Sequence, residues 1–497
     1  MTVATRPKSG FFIGVGCPGC GGRLQIEQDF FVTTCEHCGS VIRIVMPEIP
    51  PAFLMPSRVS ELQIRFHIDR YLKEHNLPLT ASQPTIKKVY YPYWKVDASL
   101  LKLRNKREQR AIPMDNESTE DHVIERDVSS VTVSPYHLTI PAGVRMEGVP
   151  ETLGIRSQTV QVVPFSDGHV EDGFDRLSVF RPWQRVRAQI DNAVRSLSQV
   201  NPAEFGANLT RMFTPMLSLV YFPYLIAECY GESYRRFIVD GLSGRVLCLV
   251  EPRGVGDDIL SHKQPAGGYS PEDNLAHGVA RSLFENDSDD EGEPPPIEFG
   301  ELAVEFHRCD NCGDDLPPRR SHVYICKNCR HVQMLGAGNR ALPKIAVVMA
   351  EGHDDTRMVP FWWLKLPKIM TGVFGNLLGG VDHSDCLHIP ALRSGNFEAI
   401  CKLSRRMSAA HMRMELARVE EFDDRFPSVQ IGLGEAVALA EMIIYRELVE
   451  RGYQLPEEDI NLTPEDYGLT FVPFHLENYF YVDSALNAIG VEKTLIE

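Results

Sequence analysis

CPGCGGRLQIEQDFFVTTCEHC, residues 17–38, is the stretch from which the rest of the chain is read. Cys17-Pro-Gly-Cys20 and Cys35-Glu-His-Cys38 are two CxxC pairs with 14 residues between them. Each pair forms a tight knuckle that offers two thiolates, and a short hairpin brings the second knuckle opposite the first. Four thiolates then fill the tetrahedral shell of Zn²⁺ and leave no position open, which makes the site structural. The arrangement returns as CDNCGDDLPPRRSHVYICKNC, residues 309–329, where Cys309 and Cys312 precede Cys326 and Cys329 by a 13-residue spacer. Gly21, Gly22, Gly39 and Gly313 follow the cysteines, where the lack of a side chain lets backbone N–H groups approach sulfur. Zinc supplies about 10–16 kcal/mol to the folding of a small metallo-domain, enough to order a ribbon of this size. Iron in a rubredoxin-like S₄ site uses the same knuckles, so the metal's identity stays open. Redox work by a single CxxC needs a βαβ setting that the sequence lacks.

Beyond each ribbon the sequence repeats a pattern. VYYPYWKV, with Pro92, Tyr93 and Trp94, is matched by MVPFWWLKL, with Pro360, Phe361 and Trp362. LVYFPYLI (219–226) and LTFVPFHL (469–476) align without a gap. Proline donates no ladder hydrogen bond, so these segments read as strands with proline at a start or an edge and the aromatics in the core. Trp183, Val186, Ile190, Val194 and Leu197 recur at helical spacing, as do Phe397, Ile400, Leu403, Met407, Ala410 and Met414. Further helices are expected over 57–76 and 434–451, the latter ending before Gly452. The fold class is therefore α+β: two Cys₄ ribbons, each followed by a mixed antiparallel β/α module, internally duplicated. The division is ribbon 1 at 10–45, module 1 at 46–250, an acidic Pro-rich linker at 251–300, ribbon 2 at 301–335 and module 2 at 336–497.

The chain of 497 residues has a formal net charge of −16. That balance excludes nucleic-acid binding over the whole surface, which depends on neutralising phosphates with Lys and Arg. Six acids between Glu285 and Glu293, closed by Pro294 to Pro296, mark the linker. The N-terminus does not read as a signal peptide and no window of 18 apolar residues occurs, so a cytoplasmic, reducing location is expected, where paired cysteines hold metal and not disulfides.

Other candidates are weaker. Cys229, Cys248, Cys386 and Cys401 stand singly in apolar surroundings and read as buried inert thiols. Asp382, His383, Asp385, Cys386 and His388 gather potential ligands without a fixed geometry and read first as a polar loop leading into a strand. His37, His307, His322 and His331 flank the ribbons but are surplus to two complete Cys₄ sites. Lys102, Arg104, Lys106, Arg107 and Arg110 form a basic run that reads as a solvated loop, with phosphate contact as the alternative. There is no phosphate loop, no G-x-S-x-G and no H-E-x-x-H, so no catalytic residue is assigned.

The run from Cys17 to Trp94, LVYFPYLIAECYGESYRRFIVDGLSGRV (219–246), VPFWWLKL (359–366), HIPALRSGNFEAICKLSRRMS (388–408) and LTPEDYGLTFVPF (462–474) resemble a group of bacterial tandem zinc-ribbon proteins. Some of these are described as primosomal-helicase-like or transcription-factor-IIB-like for their ribbons alone. The resemblance points to members that accompany phage-shock and band-7 (flotillin-like) membrane-stress proteins. The ribbons and the duplicated modules read as a non-catalytic zinc-binding scaffold or adaptor in a cytoplasmic assembly, and the resemblance points to protein partners of that kind. The other reading is a nucleic-acid-binding protein that uses ribbon 1 and the 102–110 run.

Overall fold

A computed structural model of the chain describes residues 12–27, 32–45, 49–79, 83–112, 122–154, 160, 162–166, 170–196, 208–230, 234–250, 298–300, 303–335, 341–350, 355–367, 385–394, 396–417, 426–450 and 462–496. It is mixed α+β and divides into two compact units. Unit 1 holds Met1–Ala98, Tyr136–Ala193 and Pro215–Glu305; unit 2 holds Ser99–Pro135, Val194–Thr214 and Phe306–Glu497. Residues 46–250, read from the sequence as one module, therefore contribute to both.

Unit 1 opens with ribbon 1. Strands β1 (Phe12–Gly16) and β2 (Arg23–Glu27) form one antiparallel hairpin around the first knuckle, and β3 (Val32–Thr34) and β4 (Val41–Val45) form another around the second. An eight-stranded sheet follows, built from β5 (Ala52–Leu54), β6 (Thr85–Ile112), β7 (His122–Pro141), β8 (Val163–Pro164), β9 (Phe174–Arg176), β10 (Asn208–Cys229), β11 (Arg235–Asp240) and β12 (Val246–Val250), of which the stretches 99–112, 122–135 and 208–214 are counted with unit 2. Helix α1 (Glu61–Glu74) starts at Ser60, whose N–H donates to Gln63 Oε1 at 3.0 Å in a capping box. It buries Ile64, Ile68 and Leu72 in one cluster with Phe237, Val239 and Val246 of β11 and β12. Helix α2 (Trp183–Ser196) buries Val186, Ile190 and Val194, the face that the spacing predicts. One more strand, β13 (Ala303–Phe306), pairs with β4, so the ribbon's second sheet reads β13-β4-β3.

In unit 2, β14 (Val323–Ile325) and β15 (Val332–Met334) form the hairpin of ribbon 2. A seven-stranded sheet comprises β16 (Lys344–Val348), β17 (Arg357–Lys365), β18 (Cys386–Pro390), β19 (Leu416–Ala417), β20 (Asp466–Glu477), β21 (Phe480–Asp483) and β22 (Gly490–Glu492). Helix α3 (Phe397–Ala410), N-capped by Asn396, packs Ile400, Leu403 and Met407 into one core cluster. Helix α4 (Leu433–Glu450) packs Ala436, Ala440 and Ile443 into another. The short helix α5 (Lys493–Ile496) follows β22.

The strand pairings of the two sheets correspond. β10 runs parallel to β5 and antiparallel to β11, as β20 runs parallel to β16 and antiparallel to β21. β8 and β19 each add antiparallel to the strand that leads their sheet. The indole N–H of Trp94 donates to Arg181 O at 2.7 Å, two residues before α2, and that of Trp362 donates to Ile431 O at 2.9 Å, two residues before α4. Ala142 N–H donates to Pro92 O at 2.9 Å and Ala391 N–H to Pro360 O at 2.8 Å. Gly241 and Ser484 donate to Pro223 O and Pro473 O at 2.9 and 2.8 Å.

The proline expectation needs correction. Pro223, Pro360 and Pro473 lie within strands that have neighbours on both sides, and the register explains how. β20 pairs with β16 up to Phe471 and with β21 from Phe474 onward, so Pro473 sits where one neighbour ends and the next begins. Pro223 occupies the same gap in β10, between pairing with β5 up to Tyr221 and with β11 from Tyr224. Pro360 immediately precedes Phe361, where the pairing of β17 with β18 starts. The missing N–H falls where no ladder bond is due.

Candidate metal centres

The eight cysteines converge as two quartets, Cys17, Cys20, Cys35 and Cys38, and Cys309, Cys312, Cys326 and Cys329. Within each, the ligand atoms all lie within 4.8 Å of one another. Backbone turns set the sulfurs. Cys17 N–H donates to Gly22 O at 2.9 Å while Gly21 N–H donates back to Cys17 O at 2.8 Å, and Cys35, Ser40 and Gly39 repeat the pattern at 2.9 Å for both bonds. In ribbon 2 the turns are Cys309 to Asp314 with Gly313 to Cys309, both 2.8 Å, and Cys326 to His331 with Arg330 to Cys326, both 2.9 Å.

Each turn needs a left-handed residue directly after its second cysteine. Gly21 (φ 71°), Gly39 (75°) and Gly313 (75°) supply it, and Arg330 (62°) does so in the fourth knuckle. Gly22 is tight for a different reason: a Cβ there would lie 2.6 Å from Cδ2 of the exposed His37, whose ring would have to shift.

The Sγ distances test the fit to a metal ion. Cys17 to Cys38 is 3.7 Å and Cys20 to Cys35 is 3.8 Å; Cys309 to Cys329 and Cys312 to Cys326 are 3.5 Å. A tetrahedron with Zn–S bonds of about 2.3 Å has edges of about 3.8 Å, close to these separations, so both quartets could hold an ion. N–H groups of Gly19 and Gly22 point at Cys17 and Cys20 sulfur, each at 3.4 Å, and Asn328 Nδ2 lies 3.7 Å from Cys312 sulfur. Such donors stabilise thiolate charge around a metal. The last cysteine of each quartet is drawn toward ionisation. Ser40, whose Oγ is 3.3 Å from the sulfur, draws Cys38 down to about 6, and the Asn311 side chain with the His331 N–H does the same for Cys329. Burial pushes Cys326 up to about 12, so filling that site displaces a proton.

The remaining candidates are placed as follows. Cys229 and Cys401 are buried, as expected, whereas Cys248 and Cys386 are half-buried; burial pushes the Cys386 and Cys401 thiols up to about 12. Asp382, His383 and Ser384 lie outside the described residues. His388 of that run is fully buried in β18, and its ring lies against His411 with centroids 4.1 Å apart. Burial drives its pKa well down, with His411 adding to the effect. The two imidazoles bring no third ligand to a metal among the described residues. His307 packs edge-on against Tyr324, and His331 serves through its backbone. His322 Nε2 is 3.7 Å from Glu435, and burial lowers its pKa to about 4, Arg393 adding to the shift. The basic run is not a loop: Lys102 to Arg110 belong to β6.

One cluster escapes sequence reading. Lys95, fully buried, bonds Asp97 Oδ2, and His137 Nδ1 lies 2.6 Å from Asp97 Oδ1. Two charges alternating inside the apolar strand VYYPYWKVDASL were the available signal, but the partner strand carrying His137 was not legible. Compared with known proteins, the chain matches no family model, no curated protein and no solved structure. No helix among the described residues is long and apolar enough to cross a membrane.

Proposed function

We propose that the chain is a non-catalytic scaffold that binds two structural Zn²⁺ ions, one in each cysteine quartet. The observation that carries this reading is the closure of both sites: four thiols each, at tetrahedral spacing, leave no position for substrate. Thiolate sites of this kind suit a reducing, cytoplasmic setting. The paired hydrogen bonds of Trp94 and Trp362, and of the four prolines, support descent of the two units from one duplicated module. Stable β-modules carrying small metal-fixed ribbons are suited to holding protein partners. The resemblance in sequence nominates membrane-stress proteins of the phage-shock and band-7 kind.

Metal analysis of the purified chain tests the core of the proposal. Two zinc per chain are expected, and Cys17→Ser should leave one. Iron, or a stoichiometry near zero, overturns it. Affinity purification from the native host, with mass spectrometry of what the full chain retains and the loss of those proteins in the Cys17→Ser variant, tests the partner assignment.

A further inference from the structure

Strand β13 is joined to ribbon 1 by its contacts and to ribbon 2 by its sequence. It is the outer strand on β4, and Val304 packs against the small core of ribbon 1, made of Cys17, Leu24, Cys35, Ile42 and Ile44. Glu305 Oε2 accepts from Arg43 Nη2 at 2.9 Å and from Nε at 3.3 Å, with the Arg43 side chain only 12% exposed. Just before the strand, Gly300 N–H donates to Pro50 O at 3.3 Å and Phe299 lies edge-on to Phe165. Four residues after Glu305 comes Cys309, the first ligand of ribbon 2. The intervening backbone is held too: Arg308 N–H donates to Phe306 O at 2.9 Å and Cys309 N–H to Asp314 O at 2.8 Å.

Strand β13 is thus held on ribbon 1, and three residues beyond its end the chain reaches Cys309, which opens the second quartet. A ribbon whose core is two cysteines and three aliphatic side chains has too little apolar surface to order β4 without its metal. Ordering the run 303–309 costs backbone entropy at every residue. Whichever quartet loads first fixes part of the run, and the second then has less to fix.

Resting on the two-zinc reading, we propose that Val304 and Glu305, which touch no metal, are positioning residues that couple the two sites, so that zinc in ribbon 1 tightens zinc in ribbon 2. Linkage requires the reverse effect by the same factor. The coupling runs along the chain.

The experiment measures zinc affinity site by site in the full chain, by competition with a chromogenic chelator. Removing ribbon 1 ligands with Cys35→Ser and Cys38→Ser should weaken zinc at ribbon 2 by about 5- to 100-fold, and Cys312→Ser with Cys326→Ser should weaken ribbon 1 by an equal factor. Val304→Gly with Glu305→Ala keeps all eight thiols, so it stands even where a cysteine variant fails to fold. It should weaken both sites and abolish the dependence of one on the other, while Val304→Ile restores it. Ribbon 2 affinity within twofold of the parent chain after loss of ribbon 1 metal, or unequal reciprocal factors, overturns the coupling. A parent chain that binds fewer than two zinc defeats the underlying reading instead.

Discussion

Trp94 and Trp362 make the same bond, to the carbonyl two residues ahead of a helix, yet three residues further along the two strands differ in chemistry. In unit 1 that position is Asp97, buried with Lys95 and paired also with the half-buried His137. In unit 2 it is Lys365, 41% exposed and loosely paired with Asp385 at 3.7 Å and Glu465 at 3.6 Å. The helices differ as well. Unit 1 carries α1 between β5 and β6, and unit 2 carries α3 between β18 and β19, while α2 and α4 share the same entry. The frame of Pro, Trp and backbone carbonyls is what the units hold in common. What each buries against it is its own.

The largest break in that comparison is expected at the buried charges. Asp97→Ala leaves Lys95 buried without its carboxylate and should cost about 3–5 kcal/mol in urea unfolding. Lys365→Ala removes an exposed pair and should cost less than about 1 kcal/mol. Equal losses would mean that the network of unit 1 is not the dry ion pair described. A second test sharpens the likeness. Trp94→Phe and Trp362→Phe each orphan a carbonyl and open a cavity, so each should cost about 2–3 kcal/mol, the two agreeing within about 1 kcal/mol. A loss at one site alone would break the equivalence of the units. The smallest effect separates the ribbons. Arg330→Gly relieves the one knuckle with a side chain at positive φ and should stabilise loaded ribbon 2 by about 0.5–1 kcal/mol, read as a later metal release on heating. Gly39→Ala should move ribbon 1 the other way.

Local pattern carried much of this into the sequence. Spacing alone grouped the eight cysteines that converge as two quartets. Periodicity placed α1 to α4 within a few residues, because each helix buries one face and its caps are short-range signals. Nonlocal pairing was beyond it. A four-residue strand such as β13 has no period to read, and nothing near Glu305 announces Arg43 as its partner. The Asp97 cluster depends on β7 lying beside β6, and residues 99–135 join unit 2 through contacts that no local rule encodes. The proline strands were legible as strands, but their central position depends on where neighbouring strands stop.

Those stopping points give the prolines a further effect. β6 and β10 are 28 and 22 residues long, and a long strand has many nearly equivalent ways to slide along its neighbours. Shifting β20 by two residues against β16 and β21 would set Pro473 opposite a carbonyl that expects a donor. One misplaced ring would cost a ladder bond in every slipped alignment and in none of the native ones. Each proline thus works as a stop against sliding, and it reduces the number of alternative pairings that an opened sheet could offer to a second chain.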